Sequence, residues 1–213
     1  MKPRVTIVDD ALPPRQFRAL ARAIVALGRE RRRDSYQTTF WFDLGQPPSN
    51  LVEVAVLHLA PHVRARGVIG VEWWLSRMRT SNVKVDFHRD RDNAHFAATG
   101  VELIPKVSSL LYLNRCRGGL LAVTPEPPNP RNPAFAPDVH DFDLVEPAPN
   151  RFTFFDAKLT HGVLDARNQL PGQRLPTERA WRLAVAINFW HRRPDQVPTF
   201  AQSRHYRSLA LAQ

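Results

Sequence analysis

From residue 71 onward the sequence breaks into short apolar stretches, and none of the segments between them has the length and periodicity of a helix. The stretches cover residues 71–78, 83–88, 107–113, 120–124, 152–155, 162–164 and 183–190. Consecutive parallel strands need a crossover of a dozen or more residues, usually a helix. Because the sequence lacks such crossovers, it predicts an antiparallel sandwich or barrel here.

The residues before this β region predict a short strand and two helices. Residues 5–8 have strand character, and a proline pair at 13–14 then starts a helix whose apolar side chains recur at helical spacing. A basic run at 29–33 closes this helix, and a second one follows residues 47–50, with Pro61 as its break or end. The overall prediction is a mainly β protein with N-terminal helices.

We expect one domain over residues 1–213. Residues 1–70 would form the helical support, 71–190 the β core and 191–213 a basic C-terminal segment. The single cysteine excludes a disulfide within the chain, and no apolar run approaches the length of a membrane span. With no secretion signal recognisable at the N-terminus, a cytoplasmic protein that does not contact membranes is expected.

The net charge of +10 suggests nucleic acid as a partner until its distribution is examined. Residues 1–33 hold nine basic against three acidic residues, and residues 191–213 hold four against one. The region between them therefore carries only +1 of the total. The basic ends could attract an acidic partner, but the nearly neutral middle removes the bulk charge as an argument for nucleic acid.

A His-x-Asp sequence is the first candidate for chemistry. In an extended segment, residues two apart face the same side, so His88 and Asp90 can present an imidazole and a carboxylate to one point. These are two members of the 2-His-1-carboxylate triad that binds Fe(II) and leaves positions open for substrate and O2. Asp86 lies on the same face and remains a rival ligand or a supporting carboxylate.

Two later residues could complete this site. His161 opens a predicted strand after an apolar strand and a turn, and Arg182 precedes the uninterrupted apolar run at 183–190. A buried arginine needs an anionic partner, and a bound dicarboxylate could supply one through a bidentate contact.

The order of these features resembles the Fe(II)/2-oxoglutarate-dependent dioxygenases, in particular the prolyl-hydroxylase-like branch. In chain order the sequence has the His-x-Asp motif at 88–90, Tyr112-Leu113-Asn114, Gly118-Gly119-Leu120, His161 and Arg182. The resemblance covers residues 70–190 and implies a double-stranded β-helix, or jelly roll, as the fold of the core.

The resemblance also implies roles for individual residues. His88, Asp90 and His161 would be the iron ligands, while Arg182 and Tyr112 would bind the distal carboxylate of 2-oxoglutarate. The spacing from the last histidine to the arginine is longer than is usual in the family, which requires an inserted loop at 165–180. Arginines inside that loop, at positions 167, 174 and 179, are competitors for the clamp.

The activity implied is hydroxylation of an aliphatic C–H bond of an amino acid, a peptidyl residue or a small metabolite, with O2 consumed and succinate and CO2 released. A nucleic-acid demethylating enzyme of the same superfamily is an alternative, although its second arginine is replaced by Asn188. A non-catalytic jelly-roll binding module is another. Two long loops, at 125–150 and 165–180, are candidate lids over the site.

Overall fold

The computed structural model describes residues 3–28, 38–132, 135–138, 141–172, 175 and 181–211. The α-helices within them are α1 (Pro14–Ala26), α2 (Leu51–Val63) and α3 (Asn93–Thr99). The strands are β1 (Val5–Val8), β2 (Thr39–Asp43), β3 (Gly70–Arg79), β4 (Val107–Tyr112), β5 (Leu121–Thr124), β6 (Asp143–Val145), β7 (Phe152–Asp156), β8 (Thr160–Val163) and β9 (Trp181–Trp190).

The described strands form two antiparallel sheets. The larger has the order β1-β7-β4-β9-β3-β2 and the smaller has the order β6-β5-β8. Side chains from both sheets line one cavity, so the sheets face each other as the two walls of a double-stranded β-helix. The predicted mainly β fold with N-terminal helices and a jelly-roll core is therefore confirmed.

Alternation along the strands gives the large sheet two different faces. In β3, Trp73 is fully buried in the core beneath the helices, while Trp74 points to the other face and lines the cavity. The same alternation in β9 sends Ile187 into the core and Ala186 to the cavity. The face that carries the chemistry is thus set by even-numbered residues of these two strands.

The N-terminal helices cover the opposite face of this sheet. Leu20 and Ile24 of α1 are buried in the same apolar cluster as the odd-numbered residues of β3 and β9. Asn50 caps α2 by accepting hydrogen bonds from the backbone N–H groups of residues 52 and 53, and the helix continues through Pro61 to end at Val63. These helices hold the sheet from behind and leave the cavity face free.

Some local predictions are wrong. Residues 83–88 do not form a strand: β3 ends at Arg79, a 3-10 turn follows at Thr80–Asn82, and only His88 pairs, through an isolated bridge. Sequence analysis also missed β2, a sheet-edge strand that contains three consecutive aromatic residues, and the short helix α3.

Several predictions concern residues outside the described part of the chain. The basic run 29–33 lies outside it completely, and the two candidate lid loops lie outside it in part. The domain boundaries at residues 70 and 190 stay a prediction, although β1 and β2 both join the large sheet. Among the described residues, no helix has the length and apolar character needed to cross a membrane.

Candidate metal centre and adjoining cavities

The two histidines of the candidate site lie directly opposite each other. The backbone N–H of His88 donates to the carbonyl of His161, and the reverse bond is also made, each at 2.9 Å. Gly162 allows this close approach, because a Cβ on it would lie 2.7 Å from the Phe87 ring. As a result the two imidazole centroids are 4.5 Å apart.

Asp90 places its carboxylate between the two imidazoles. Its Oδ1 lies 3.4 Å from Nε2 of His88, and its Oδ2 lies 3.5 Å from Nε2 of His161. The Ser108 hydroxyl on β4 donates to Oδ2 at 2.7 Å and fixes the orientation of the carboxylate. The extended His-x-Asp segment thus presents both side chains to one point, as predicted, although it does not belong to a strand.

The orientation of His88 follows from its second ring nitrogen. Nδ1 lies 2.7 Å from the backbone carbonyl of Asp86, and because a carbonyl only accepts, Nδ1 must carry the proton. This leaves the lone pair of Nε2 directed towards the site. Asp86, the predicted rival ligand, therefore acts through its backbone, and its side chain is exposed.

The three side chains of the triad shift one another's pKa values. Burial opposes ionisation of Asp90, yet the two histidines and the Ser108 hydroxyl hold its pKa well below the usual range. Burial lowers the pKa of His161 to about 4, so its imidazole is neutral at neutral pH. Burial also disfavours protonated His88, but the hydrogen bond and charge of Asp90 outweigh this effect and raise its pKa.

The triad has the donor set and the spacing of a metal site. One ligand atom each from His88, Asp90 and His161 can be chosen so that all three lie within 4.8 Å of one another. Two imidazoles and one carboxylate on one side of a point are typical of non-haem Fe(II) sites with open coordination positions. Among the described residues, this is the one cluster with such an arrangement.

The cavity next to the triad ends at a buried arginine. Arg182 is 1% exposed, and its Nε donates to the carbonyl of Gly119 at 3.1 Å while Nη2 donates to the hydroxyl of Tyr112 at 3.2 Å. These contacts use two of the five N–H donors of the guanidinium. No carboxylate pairs with Arg182 in the described part of the chain, so its positive charge is available to an anion in the cavity.

A tight turn supplies part of this arrangement. Gly118 and Gly119 both have positive φ, at 62° and 71°, which favours glycine. A Cβ on Gly118 would also lie 2.3 Å from the backbone oxygen of Asp165. The turn therefore brings the Gly119 carbonyl to Arg182 at a place where side chains would not fit.

The space around the triad has two parts. The inner cavity, of about 100 Å3, is the space between the triad and Arg182, and its walls are largely apolar. The outer cleft, of about 780 Å3, lies on the other side of the triad and opens towards Arg89, Arg91 and Glu102. Trp74, His88, Asp90 and Asn188 line both spaces. The triad therefore lies where the inner cavity meets the outer cleft.

Glu72 is a functional candidate that sequence reasoning missed. It is half-buried in the wall of the outer cleft and lies opposite Asn188 in the β3–β9 register. Burial and the charge of Asp90 raise its pKa to about 7. The sequence did contain a signal for it: Glu72 is two residues before Trp74 in a strand, so both side chains lie on the same face of the sheet.

The structure brings together all five residues that sequence analysis selected. Of the competitors for the clamp, Arg167 is exposed and does not line the inner cavity, and positions 174 and 179 lie outside the described residues. The inserted loop required by the long spacing lies partly outside the described residues; residues 164–172, which follow β8, belong to no helix or strand.

Structural comparison extends this picture to the whole chain. A prolyl-4-hydroxylase from Pseudomonas putida is 18% identical, with 90% of each chain covered and a TM-score of 0.50. HygX from Streptomyces hygroscopicus, solved with nickel and 2-oxoglutarate bound, is 13% identical, with 93% of this chain and 84% of that chain covered and a TM-score of 0.50. AviO1 from Streptomyces viridochromogenes Tue57 is 17% identical, with 92% and 93% covered and a TM-score of 0.51.

No protein-family model matches the sequence, and no curated protein matches it. The structural matches nevertheless agree on the architecture and cover nearly all of this chain. The chain has the jelly-roll fold found in prolyl-hydroxylase-like 2-oxoglutarate oxygenases. The resemblance seen in the sequence is thus confirmed at the level of the fold.

Proposed function

We propose that the protein is a non-haem Fe(II)/2-oxoglutarate-dependent dioxygenase that hydroxylates an aliphatic C–H bond of an amino acid, a peptidyl residue or a small metabolite. The observation that carries this proposal is the shared cavity. A 2-His-1-carboxylate triad borders one side of it, and a buried arginine without a carboxylate partner in the described chain lies at the other. The fold supports the same activity, because HygX has this architecture and binds 2-oxoglutarate.

The side chains of the triad fit Fe(II). His88 and His161 would each bind through Nε2, and Asp90 would bind through one carboxylate oxygen. The other contacts of these residues are compatible with this role, since Ser108 supports Asp90 and the Asp86 carbonyl fixes the tautomer of His88. The protein thus orients at least two of the three ligands before the metal binds.

The inner cavity fits a small dicarboxylate. Arg182 would bind the distal carboxylate of 2-oxoglutarate with its remaining N–H donors. Because the Tyr112 oxygen accepts a hydrogen bond from Arg182, its own proton is free to donate to the same carboxylate. When bound, iron and 2-oxoglutarate together supply the oxidation, in which O2 is consumed, succinate and CO2 are released and one oxygen atom enters the substrate C–H bond.

The walls of the inner cavity would exclude water from this reaction. Met78, Leu110 and Leu121 contribute apolar side chains to it. Ala186, on the central strand of this wall, keeps the cavity open because a larger side chain there would project into it. The protein's part is therefore to bind, orient and desolvate the reactants.

The test is O2-dependent formation of succinate from 2-oxoglutarate by the purified, iron-loaded protein. We expect turnover in the native protein and none above background in His161→Ala. His58→Ala, which removes an exposed histidine on α2 far from the cavity, should retain full activity. Native protein that binds iron but forms no succinate, alone or with any candidate substrate, would contradict the proposal.

A further inference from the structure

The outer cleft contains four charged side chains besides the triad, and two of them pair with each other. Arg91 and Glu102 form an ion pair of 3.1 Å, and the Arg91 guanidinium also lies over the Phe96 ring. Arg89 and Glu72 form no such pair. Neither takes part in an ion pair among the described residues, whether with each other or with a third group.

Arg89 is the middle residue of the His-x-Asp motif. The segment is extended, so the Arg89 side chain leaves the backbone on the side opposite His88 and Asp90. It nevertheless lines the wall of the outer cleft together with these two residues. Its Nε is buried and has no hydrogen-bond acceptor. A buried donor without an acceptor is destabilising unless a bound ligand provides one, and the natural ligand for guanidinium is a carboxylate or another oxyanion.

Glu72 provides the opposite charge on another wall of the cleft. In the large sheet a polar row runs from Ser108 through Asn188 to Glu72, across β4, β9 and β3. Ser108 holds the metal ligand Asp90, so this row leads directly from the metal position to Glu72. Thr39 and Trp190 provide polar contacts to the half-buried carboxylate that favour its ionised form. It has no cation beside it in the described structure, and an ammonium group is a suitable partner.

Arg89 and Glu72 line one cleft but do not pair with each other. Together they are complementary to a molecule that carries both a negative and a positive group. We propose that the outer cleft binds a zwitterionic prime substrate, a free amino acid, with its carboxylate on Arg89 and its ammonium on Glu72. This inference rests on the proposed dioxygenase function and names the substrate class of that site. The side chain of the amino acid would then lie near Asn188 and Trp74, which border both cavities and face the metal position.

The test is stimulation of succinate formation by free amino acids and by derivatives that lack one charge. The iron-loaded protein with 2-oxoglutarate is assayed with the protein amino acids. Each active one is then compared with its carboxamide and its N-acetyl derivative. We expect at least one amino acid to stimulate turnover, and removal of either charge to raise KM roughly tenfold or more, as is typical when a charged hydrogen bond is lost.

Variants connect each charge to one side chain. Arg89→Gln should raise KM for the amino acid but not for its carboxamide, and Glu72→Gln should raise KM for the amino acid but not for its N-acetyl derivative. A general loss of folding would not produce this crossed pattern. Arg91→Gln and Glu102→Gln are matched controls, because they change the same side-chain types in the same cleft where the charges already pair.

Three outcomes would overturn the inference. They are stimulation by peptides or uncharged metabolites but not by free amino acids, no stimulation by any amino acid, and equal effects of Arg89→Gln on the amino acid and its carboxamide. The proposed function is tested separately by iron and 2-oxoglutarate binding in the native protein. The inference can therefore fail while the dioxygenase assignment stands.

Discussion

The inner cavity and the outer cleft meet at the metal triad, but the protein arranges its polar groups differently in the two regions. In the inner cavity, hydrogen bonds from the protein orient two charged side chains: Asp90 is bonded to Ser108, and Arg182, which has no carboxylate partner in the described chain, is bonded to Gly119 and Tyr112. In the outer cleft, Arg89 and Glu72 have no ionic partner among the described residues.

This difference indicates different tasks. Groups held by several protein contacts keep one geometry in every turnover, which suits a metal ion and a cosubstrate that do not vary. Charges left without an ionic partner gain most when a ligand supplies the opposite charge, which suits recognition of a particular substrate. The inner cavity would thus determine the reaction, and the outer cleft would select the molecule that reacts.

The largest predicted effect separates 2-oxoglutarate binding from metal binding. Arg182→Gln should raise KM for 2-oxoglutarate by roughly a hundredfold, because it removes a buried charged contact to the cosubstrate carboxylate. Its affinity for Zn2+, measured by calorimetry, should stay within a few-fold of the native value. Tyr112→Phe should show a smaller increase in KM, since it removes one hydroxyl and keeps the charge.

If Arg182→Gln weakened Zn2+ and 2-oxoglutarate binding equally, the arginine would support the fold rather than the cosubstrate. Far-ultraviolet circular dichroism of the variant checks this directly, because β9 pairs with both β3 and β4 and its loss would be visible.

The next prediction concerns the support of the metal ligand Asp90. Ser108→Ala should weaken Zn2+ binding roughly tenfold, because the carboxylate loses the hydroxyl that fixes its orientation. Ser109→Ala is the matched control, since that hydroxyl donates to the carbonyl of Ile187 and not to the triad. Equal losses of affinity in the two variants would show that Ser108 does not act through Asp90.

The last prediction tests the outer cleft without any substrate. The pKa of Glu72 is raised from 4.5 to about 7, so the folded protein holds this proton more tightly than the unfolded chain does. The free energy of unfolding therefore falls as the pH rises from 4.5 to about 7, and below pH 4.5 the native protein keeps its full stability. The glutamine in Glu72→Gln cannot ionise. Above pH 7 the free energy of unfolding of this variant should therefore exceed that of the native protein by about 1 to 2 kcal/mol.

Urea unfolding of the metal-free protein at pH 4.5 and pH 8 measures this difference. The gain should be present at the higher pH and small at the lower one. Glu102→Gln, at an exposed position of the same cleft, should show no such pH-dependent gain. If the difference in free energy of unfolding between Glu72→Gln and the native protein were the same at both pH values, burial would not be destabilising this carboxylate.

Much of the inner cavity could be predicted from the sequence, because its main residues are recognisable from their neighbours in the chain. Residues two apart in an extended segment face the same way, which was enough to pair His88 with Asp90. An uninterrupted apolar run follows Arg182, which favoured it over the arginines of the preceding loop. Conversely, the alternation at 83–88 was read as a strand, yet the segment pairs only at His88, since the 3-10 turn after β3 leads it away from the sheet.

The outer cleft could not be predicted in the same way. Arg89 was visible only as the middle residue of a motif, and its unpaired state depends on which acidic residues lie near it in space. Glu72 stands before two tryptophans in a strand that was expected to be core. Its position opposite Asn188 follows from the pairing of β3 with β9, more than a hundred residues apart, and no local pattern contains that register.

The most direct measurement is an anaerobic titration of the Fe(II)-loaded protein with 2-oxoglutarate, followed by visible absorption. If the triad and Arg182 form one site, the chelated cosubstrate should produce a weak charge-transfer band that saturates with added 2-oxoglutarate. The band should be absent in His161→Ala and should need far more 2-oxoglutarate in Arg182→Gln. Native protein that binds Fe(II) but shows no band at saturating 2-oxoglutarate would contradict the assignment of these residues to a single dioxygenase site.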